Sequence, residues 1–283
     1  MIIIKDPAEI KKWRSGFNRE YPNKTIGFVP TMGYLHEGHL SLIKKVKEET
    51  DFVVVSIFVN PIQFNDKKDF QNYPMDIEKD RLLLEKEEID LLFLPGQTDM
   101  FSRDEPEIVI DYPQYTKLLC GKNRPGHFQG VLYIVHNLFQ FIRPHKAVFG
   151  LKDYQQYLLI KKMTQELAFD IEILSGSLIR DENRLALSSR NARLSEEGYK
   201  KALVIPEALF FTRSVWENNK NTTAEELSEI LYEKLKNLEI DYAGIYDIST
   251  LKNMGREETI HEGLVAAAVY IENVRLIDNL ILR

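Results

Sequence analysis

Two histidines three residues apart, His36 and His39, lie in Pro30-Thr31-Met32-Gly33-Tyr34-Leu35-His36-Glu37-Gly38-His39, between an apolar run at 26–29 and a helix-like stretch from Leu40. The order is strand, tight turn, helix start. The spacing puts both imidazoles on one face of a helical turn, and Gly33 and Gly38 let the backbone approach a bulky ligand. A helix N-terminus at the end of a strand offers N–H groups and a positive dipole end to an anion. A single histidine near a helix start is more often a cap or a solvated side chain, but a His-x-Gly-His pair directly after a buried strand shifts the reading to phosphate binding. Metal ligation is the alternative, but a zinc site usually takes three or four protein ligands and no third His or Cys stands nearby in sequence.

Further groups recur at the ends of apolar runs. Asn60-Pro61-Ile62-Gln63-Phe64 stops a strand at a proline and is either a structural Asn-Pro turn or a means of delivering a carboxamide, which can bind a hydroxyl and a carboxylate without carrying charge. Lys122-Asn123-Arg124-Pro125-Gly126-His127-Phe128 is an anion clamp or a solvated basic loop. Phe149-Gly150-Leu151-Lys152-Asp153-Tyr154-Gln155-Gln156 again runs from strand through glycine to helix. Lys152 there can reach a phosphate, Asp153 can cap the helix, and Gln156 can face the same cleft as Gln63. Leu187-Ser188-Ser189-Arg190-Asn191 is a loop able to close over a triphosphate, or a helix cap.

Strand-like runs at 26–29, 52–59, 89–94, 147–149 and 171–174 alternate with helix-like stretches at 40–50, 76–87, 130–142 and 154–168. That alternation predicts right-handed crossovers and a parallel sheet. Ser195-Glu196-Glu197 then starts a long helix through about Glu217, and Thr222-Thr223-Ala224-Glu225 starts one ending near Leu238. Three β-rich runs close the chain, at 241–249, 264–271 and 274–281. The expected fold is α/β with a second, smaller α+β domain, divided at 1–177 and 178–283.

At 283 residues, 44% apolar and 28% charged, the chain has the make-up of an ordinary globular protein of about two domains. A net charge of −6 argues against a nucleic-acid surface, since phosphate neutralisation needs clustered Lys and Arg in excess. One cysteine, Cys120, cannot form an internal disulfide, and the apolar stretch after Met1 is too short for a signal peptide. The expected compartment is the cytoplasm, with no membrane span, the strongest apolar run being the eight residues 52–59.

In order and over nearly the whole chain, these stretches, with the terminal Arg275-Leu276-Ile277-Asp278-Asn279, resemble the pantothenate synthetase (pantoate–β-alanine ligase) family of the His-x-Gly-His nucleotidyltransferase superfamily. The resemblance implies a cytoplasmic homodimer with a Rossmann-like, doubly wound N-terminal domain for nucleotide and pantoate and a C-terminal lid and dimer domain. It implies ligation of (R)-pantoate to β-alanine through a pantoyl-adenylate, using ATP and Mg²⁺ and releasing AMP and pyrophosphate. By the same resemblance Met32, Gly33, Tyr34, Leu35, His36, Glu37, Gly38 and His39 line the ATP site, with His39 as proton donor. Gly150, Leu151, Lys152, Asp153, Ile179, Leu187, Ser188, Ser189 and Arg190 complete that site. Gln63 and Gln156 bind pantoate, Gln63 also lies near β-alanine, and Asn60 and Arg124 are further substrate contacts; no metal ligand from the protein is implied. The catalytic set is His36, His39, Lys152, Ser188, Ser189 and Arg190. Met75, Tyr133, Leu151 and Leu187 depart from the family's usual residues, and none removes a charge the chemistry requires. A pantoate carboxylate needs no general base, only shielding from the triphosphate by His36, His39, Lys152, Arg190 and Mg²⁺, and a closing loop to keep water from the acyl-adenylate.

Overall fold

The computed structural model describes all residues except 66, 102–107 and 256–259. They form two compact units: residues 1–116, 124–151 and 156–177, and residues 117–123, 152–155 and 178–283. The chain begins β1 (Ile2–Ile4), α1 (Pro7–Glu20), β2 (Ile26–Thr31), α2 (Glu37–Glu49), β3 (Phe52–Ile57), a 3₁₀ turn Pro61–Gln63, α3 (Lys67–Gln71), α4 (Ile77–Lys86) and β4 (Leu91–Phe93). It continues through α5 (Gln97–Met100), α6 (Pro113–Thr116), α7 (Leu119–Lys122), α8 (His127–Ile142), β5 (Lys146–Gly150), a 3₁₀ turn Leu151–Asp153, α9 (Tyr154–Glu166) and β6 (Glu172–Gly176). After the 3₁₀ turn Ser189–Arg193 come α10 (Glu196–Ala202), α11 (Val204–Asn218), α12 (Ala224–Leu235), β7 (Glu239–Tyr246), β8 (Gly263–Ile271) and β9 (Val274–Leu282).

The first unit holds a six-stranded, all-parallel sheet in the order β1-β4-β3-β2-β5-β6. Its central strands are unbroken apolar runs because both faces are covered. On one face Ile43 and Val46 of α2 and Leu84 of α4 pack on Val29, Val55 and Leu92. Elsewhere in this unit Phe139 of α8 meets Phe28, Phe149 and Phe169 in edge-on contacts with centroids 5.6–6.3 Å apart. The predicted alternation is all present; the chain adds β1, α1 and the short helices α3, α5, α6 and α7, which the apolar pattern did not announce.

The second unit is built on an antiparallel sheet, β7-β8-β9, whose last two strands pair from Gly263 with Leu282 to Ile271 with Val274. The two-residue connection Glu272-Asn273 has both φ angles positive (51° and 61°), the geometry of a tight hairpin whose twist matches the strands. Ser195 holds Glu272 there, its N–H donating to the carboxylate at 2.8 Å. Leu209 and Trp216 of α11 and Leu227 and Leu231 of α12 share a core with Val265, Ala267 and Val269. Instead of one helix from Ser195 to Glu217 there are two, separated at Leu203. Pro206 has no N–H to return to Ala202, and its ring crowds that carbonyl, so the hydrogen-bond ladder stops where α10 ends.

Candidate active site

Strand order reverses between β2 and β5. In an open parallel sheet, ligands bind outside the carboxyl ends of the strands at such a switch point. Thr31 ends β2 and Gly150 ends β5, so the two motifs from Met32 and from Gly150 begin there.

The Met32 loop is shaped by two consecutive left-handed residues, Gly33 (φ 81°) and Tyr34 (φ 52°). The second costs an L-residue about 1–2 kcal/mol. Asp80 offsets it: fully buried on α4, its carboxylate accepts the N–H groups of Tyr34 and Leu35, both at 2.7 Å. Burial pushes the Asp80 carboxyl above its usual range, and the two N–H groups pull it back. These N–H groups are therefore committed to Asp80. Sequence reasoning missed this residue, although a carboxylate in register with Ile77 and Leu84 on an otherwise apolar helix face was a usable signal.

His36 is the N-cap of α2: its Nδ1 accepts the Gly38 N–H at 3.1 Å, while His39 Nδ1 accepts the His36 N–H at 3.3 Å. The ring centroids are 4.2 Å apart. A nitrogen that accepts from the backbone carries no hydrogen, so in this arrangement both rings are neutral and hold theirs on Nε2. This modifies the expected shielding by charge: the capped pair offers two oriented N–H dipoles at the positive end of α2.

Gln63 ends the 3₁₀ turn after β3, and its side chain is set by neighbours on both sides. Asn60 is buried and uses one amide hydrogen on Gln63 Oε1 and the other on the Gly130 carbonyl, both at 3.0 Å. Gln63 Nε2 donates to Met32 Sδ at 2.8 Å, joining the turn to the loop after β2. Arg124 can only donate, so its contact with His127 Nε2 (3.0 Å) leaves the hydrogen on Nδ1, which donates to the Gln63 carbonyl at 2.7 Å. Arg124 adds a bond to that carbonyl at 3.3 Å. The basic loop thus braces Gln63, and Asn60 spends its donors on position.

Leu151 and Gln156 of the first unit are half-buried. In the second unit Lys152 and the exposed Asp153 occupy the 3₁₀ turn before α9. Gln155 accepts the Cys120 N–H at 3.0 Å and donates to Leu118 O at 2.9 Å. Residues 179–188 form a narrow hairpin in which Leu187 N–H donates to Ile179 O at 3.0 Å and Arg180 pairs with Ala186. Ser188 caps the turn that follows, accepting the Arg190 N–H at 3.3 Å, and Ser189 is buried. Among the described residues no group of three or more His, Cys, Asp or Glu is placed to hold a metal ion, and no helix is long and apolar enough to cross a membrane.

A parallel α/β sheet with a glycine turn and a capped histidine pair at its switch point defines a Rossmann-like nucleotide-site protein. The sequence matches the Pantoate-beta-alanine ligase family over residues 2–281. A pantothenate synthetase from Thermotoga petrophila is 42% identical over 285 residues, covering 100% of both chains. The crystal structure of pantothenate synthetase from Thermus thermophilus has a TM-score of 0.89 at 39% identity and covers 99% of each chain. That of pantoate-beta-alanine ligase from Francisella tularensis, complexed with beta-gamma ATP and beta-alanine, has a TM-score of 0.80 at 34% identity and covers 99% of this chain and 97% of that one. The chain belongs to the pantoate–β-alanine ligase family, and it is a ligase.

Proposed function

We propose that the enzyme joins (R)-pantoate to β-alanine in two steps, as a cytoplasmic homodimer. In the first, a pantoate carboxylate oxygen attacks the α-phosphorus of ATP; the bond to the β-phosphate oxygen breaks, and pyrophosphate leaves from a pantoyl-adenylate. In the second, the β-alanine amine, having lost its ammonium proton, attacks the acyl carbon and AMP departs. The observation that carries this reading is the histidine pair at the switch point, whose Nδ1 atoms accept backbone N–H groups and so fix the direction of both rings at the helix start. Donors fixed before the reaction need no reorganisation as charge moves to the leaving pyrophosphate.

Residues 1–177 supply the Met32–His39 loop to ATP and Gln63 and Gln156 to pantoate, with His39 donating toward the departing phosphate. Gly150, Leu151 and Asp153 line the nucleotide. Lys152 and Arg190 supply the fixed positive charge, Ile179 and Leu187 flank the base, and Ser188 and Ser189 offer hydroxyl donors. Residues 178–283 are the lid and dimer domain. Mg²⁺ would be brought in by ATP rather than held by protein ligands, and would offset part of the triphosphate's charge. The Francisella tularensis relative, whose structure holds beta-gamma ATP and beta-alanine, supports two of the three substrates.

The test is exchange of labelled pyrophosphate into ATP with Mg²⁺ and without β-alanine. Exchange that depends on pantoate is expected. Absence of exchange, together with no AMP when β-alanine is added, would refute the adenylate route; sedimentation velocity checks the dimer.

A further inference from the structure

Two adjacent polar side chains in the middle of the last strand are buried and have no part in the chemistry above: Asp278 and Asn279. Asp278 takes the Arg180 guanidinium in a two-pronged pair, NH1 to Oδ2 at 2.6 Å and NH2 to Oδ1 at 2.8 Å. Arg180 also donates to the Asn279 carbonyl at 3.2 Å and to the Arg184 carbonyl at 2.9 Å. Asn279 turns the other way and donates through Nδ2 to the Lys152 carbonyl at 2.9 Å. One dipeptide of β9 therefore holds two segments far apart in sequence. The first is the turn that presents Lys152. The second is the hairpin from Ile179 to Leu187, which leads directly into Ser188, Ser189 and Arg190.

We propose that Asp278 and Asn279 are positioning residues that set the Lys152 turn and the Ser188–Arg190 loop for the nucleotide. The inference rests on the assignment of those two segments to ATP. A buried ion pair is a weak source of net stability, because desolvation consumes most of its Coulombic gain. What the planar fork of Arg180 adds is direction: two parallel bonds fix the angle as well as the distance of the hairpin. The Asn279 bond acts on the backbone of Lys152 and leaves its ammonium to other partners.

Asn279→Ala, Asp278→Asn and Lys152→Ala test this, with ATP and pantoate varied separately and thermal unfolding followed on each protein. Asn279→Ala is expected to raise KM for ATP about tenfold, the scale of one hydrogen bond in an equilibrium constant, with KM for pantoate little changed and the melting midpoint lowered by a few degrees at most. Asp278→Asn leaves the Arg180 charge buried without its counter-ion, so it should lower the midpoint as well; if it fails to fold, Asn279→Ala alone decides. Normal ATP kinetics in Asn279→Ala beside an impaired Lys152→Ala would overturn the tether while sparing the site. A parallel rise in both KM values with a lowered midpoint would show that β9 only supports its unit, and would overturn it too. Normal ATP kinetics in Lys152→Ala would remove the assignment on which the proposal stands, and the proposal with it.

Discussion

Replacing Gly130 by alanine should damage pantoate handling through a contact that no ligand makes. Gly130 lies in the opening turns of α8, where a methyl group would stand 2.7 Å from the Ile62 carbonyl oxygen, 2.8 Å from its carbon and 3.0 Å from Gln63 N. Ordinary contact begins at 3.4 Å, so helix or turn must give by about 0.7 Å (3.4 − 2.7). The obstructing atoms are backbone, and no rotamer change relieves them. The turn is also tied to the helix by Asn60 and His127, so Gln63 moves with it. A misplacement of about 1 Å can cost roughly 10²-fold in rate, and the smaller shift predicts a loss of about 10- to 100-fold in kcat/KM for pantoate. Overpacking costs about 1–3 kcal/mol, while alanine for glycine inside a helix returns about 1 kcal/mol. The net cost of up to about 2 kcal/mol should lower the melting midpoint by only a few degrees. Kinetics with pantoate varied at saturating ATP, beside a thermal melt, separate the two effects. Unchanged pantoate kinetics with a raised midpoint, as helix propensity alone would give, would show that Gly130 does not place Gln63.

Other outcomes follow from the same bonds. Asp80→Asn presents a single acceptor oxygen to two N–H donors, so one is left unpaired in a buried place; a destabilisation of about 1–3 kcal/mol and a raised KM for ATP are expected in melts and kinetics. His39→Ala should lower pantoate-dependent pyrophosphate exchange by at least about 10²-fold, and near-normal exchange would refute its role. His36→Asn keeps an N-cap acceptor but loses the imidazole Nε2–H, so exchange should fall while the melting midpoint holds. His145 accepts the Ile26 N–H through Nδ1 at 2.8 Å, and burial, then the nearby Arg14, depress its pKa. Its stabilising contribution is therefore complete above the unfolded value of about 6.5 and is lost as pH falls through that value toward the folded one. Denaturant midpoints taken at about pH 7.5 and pH 5 should differ more for the native chain than for His145→Gln, and equal differences would exclude this linkage.

The parallel sheet was legible because strands covered on both faces read as unbroken apolar runs, and the chemistry-bearing motifs follow three of them directly. β1 was not, because two of its three isoleucines are exposed and an edge strand of that length has no periodicity to display. α1 carried a start signal in Asp6-Pro7, with the Asp6 side chain accepting the Ala8 N–H, but its buried stripe is Ile10, Arg14 and Phe17. An arginine in an apolar register hides the helix from a pattern search; here Arg14 is buried because it donates to the Arg143 carbonyl at 3.0 Å. Within the candidate site, residue types and spacing singled out the histidines and Gln63, which the structure places directly after β2 and β3. They could not show the bond from Asp80 to a loop 45 residues earlier or the contact of Gly130 with Ile62, since each depends on a partner distant in sequence.

The bonds that place the side chains of the candidate site share one feature: most end on the backbone. Asp80 holds the N–H groups of Tyr34 and Leu35, His127 holds the Gln63 carbonyl, Asn60 the Gly130 carbonyl and Asn279 the Lys152 carbonyl. A bond of this kind sets the direction of the chain that carries a functional group without engaging that group itself. It also divides the electrostatic labour. With Nδ1 of each histidine accepting a backbone N–H, the imidazoles contribute short-range, directional N–H dipoles rather than charge. Charge acts over a longer range and tolerates small displacements, whereas hydrogen bonds fail with them. Substitutions in the bracing residues of the first unit should therefore act mainly through misdirected hydrogen bonds, and their cost should appear in turnover and substrate KM before it appears in folding stability.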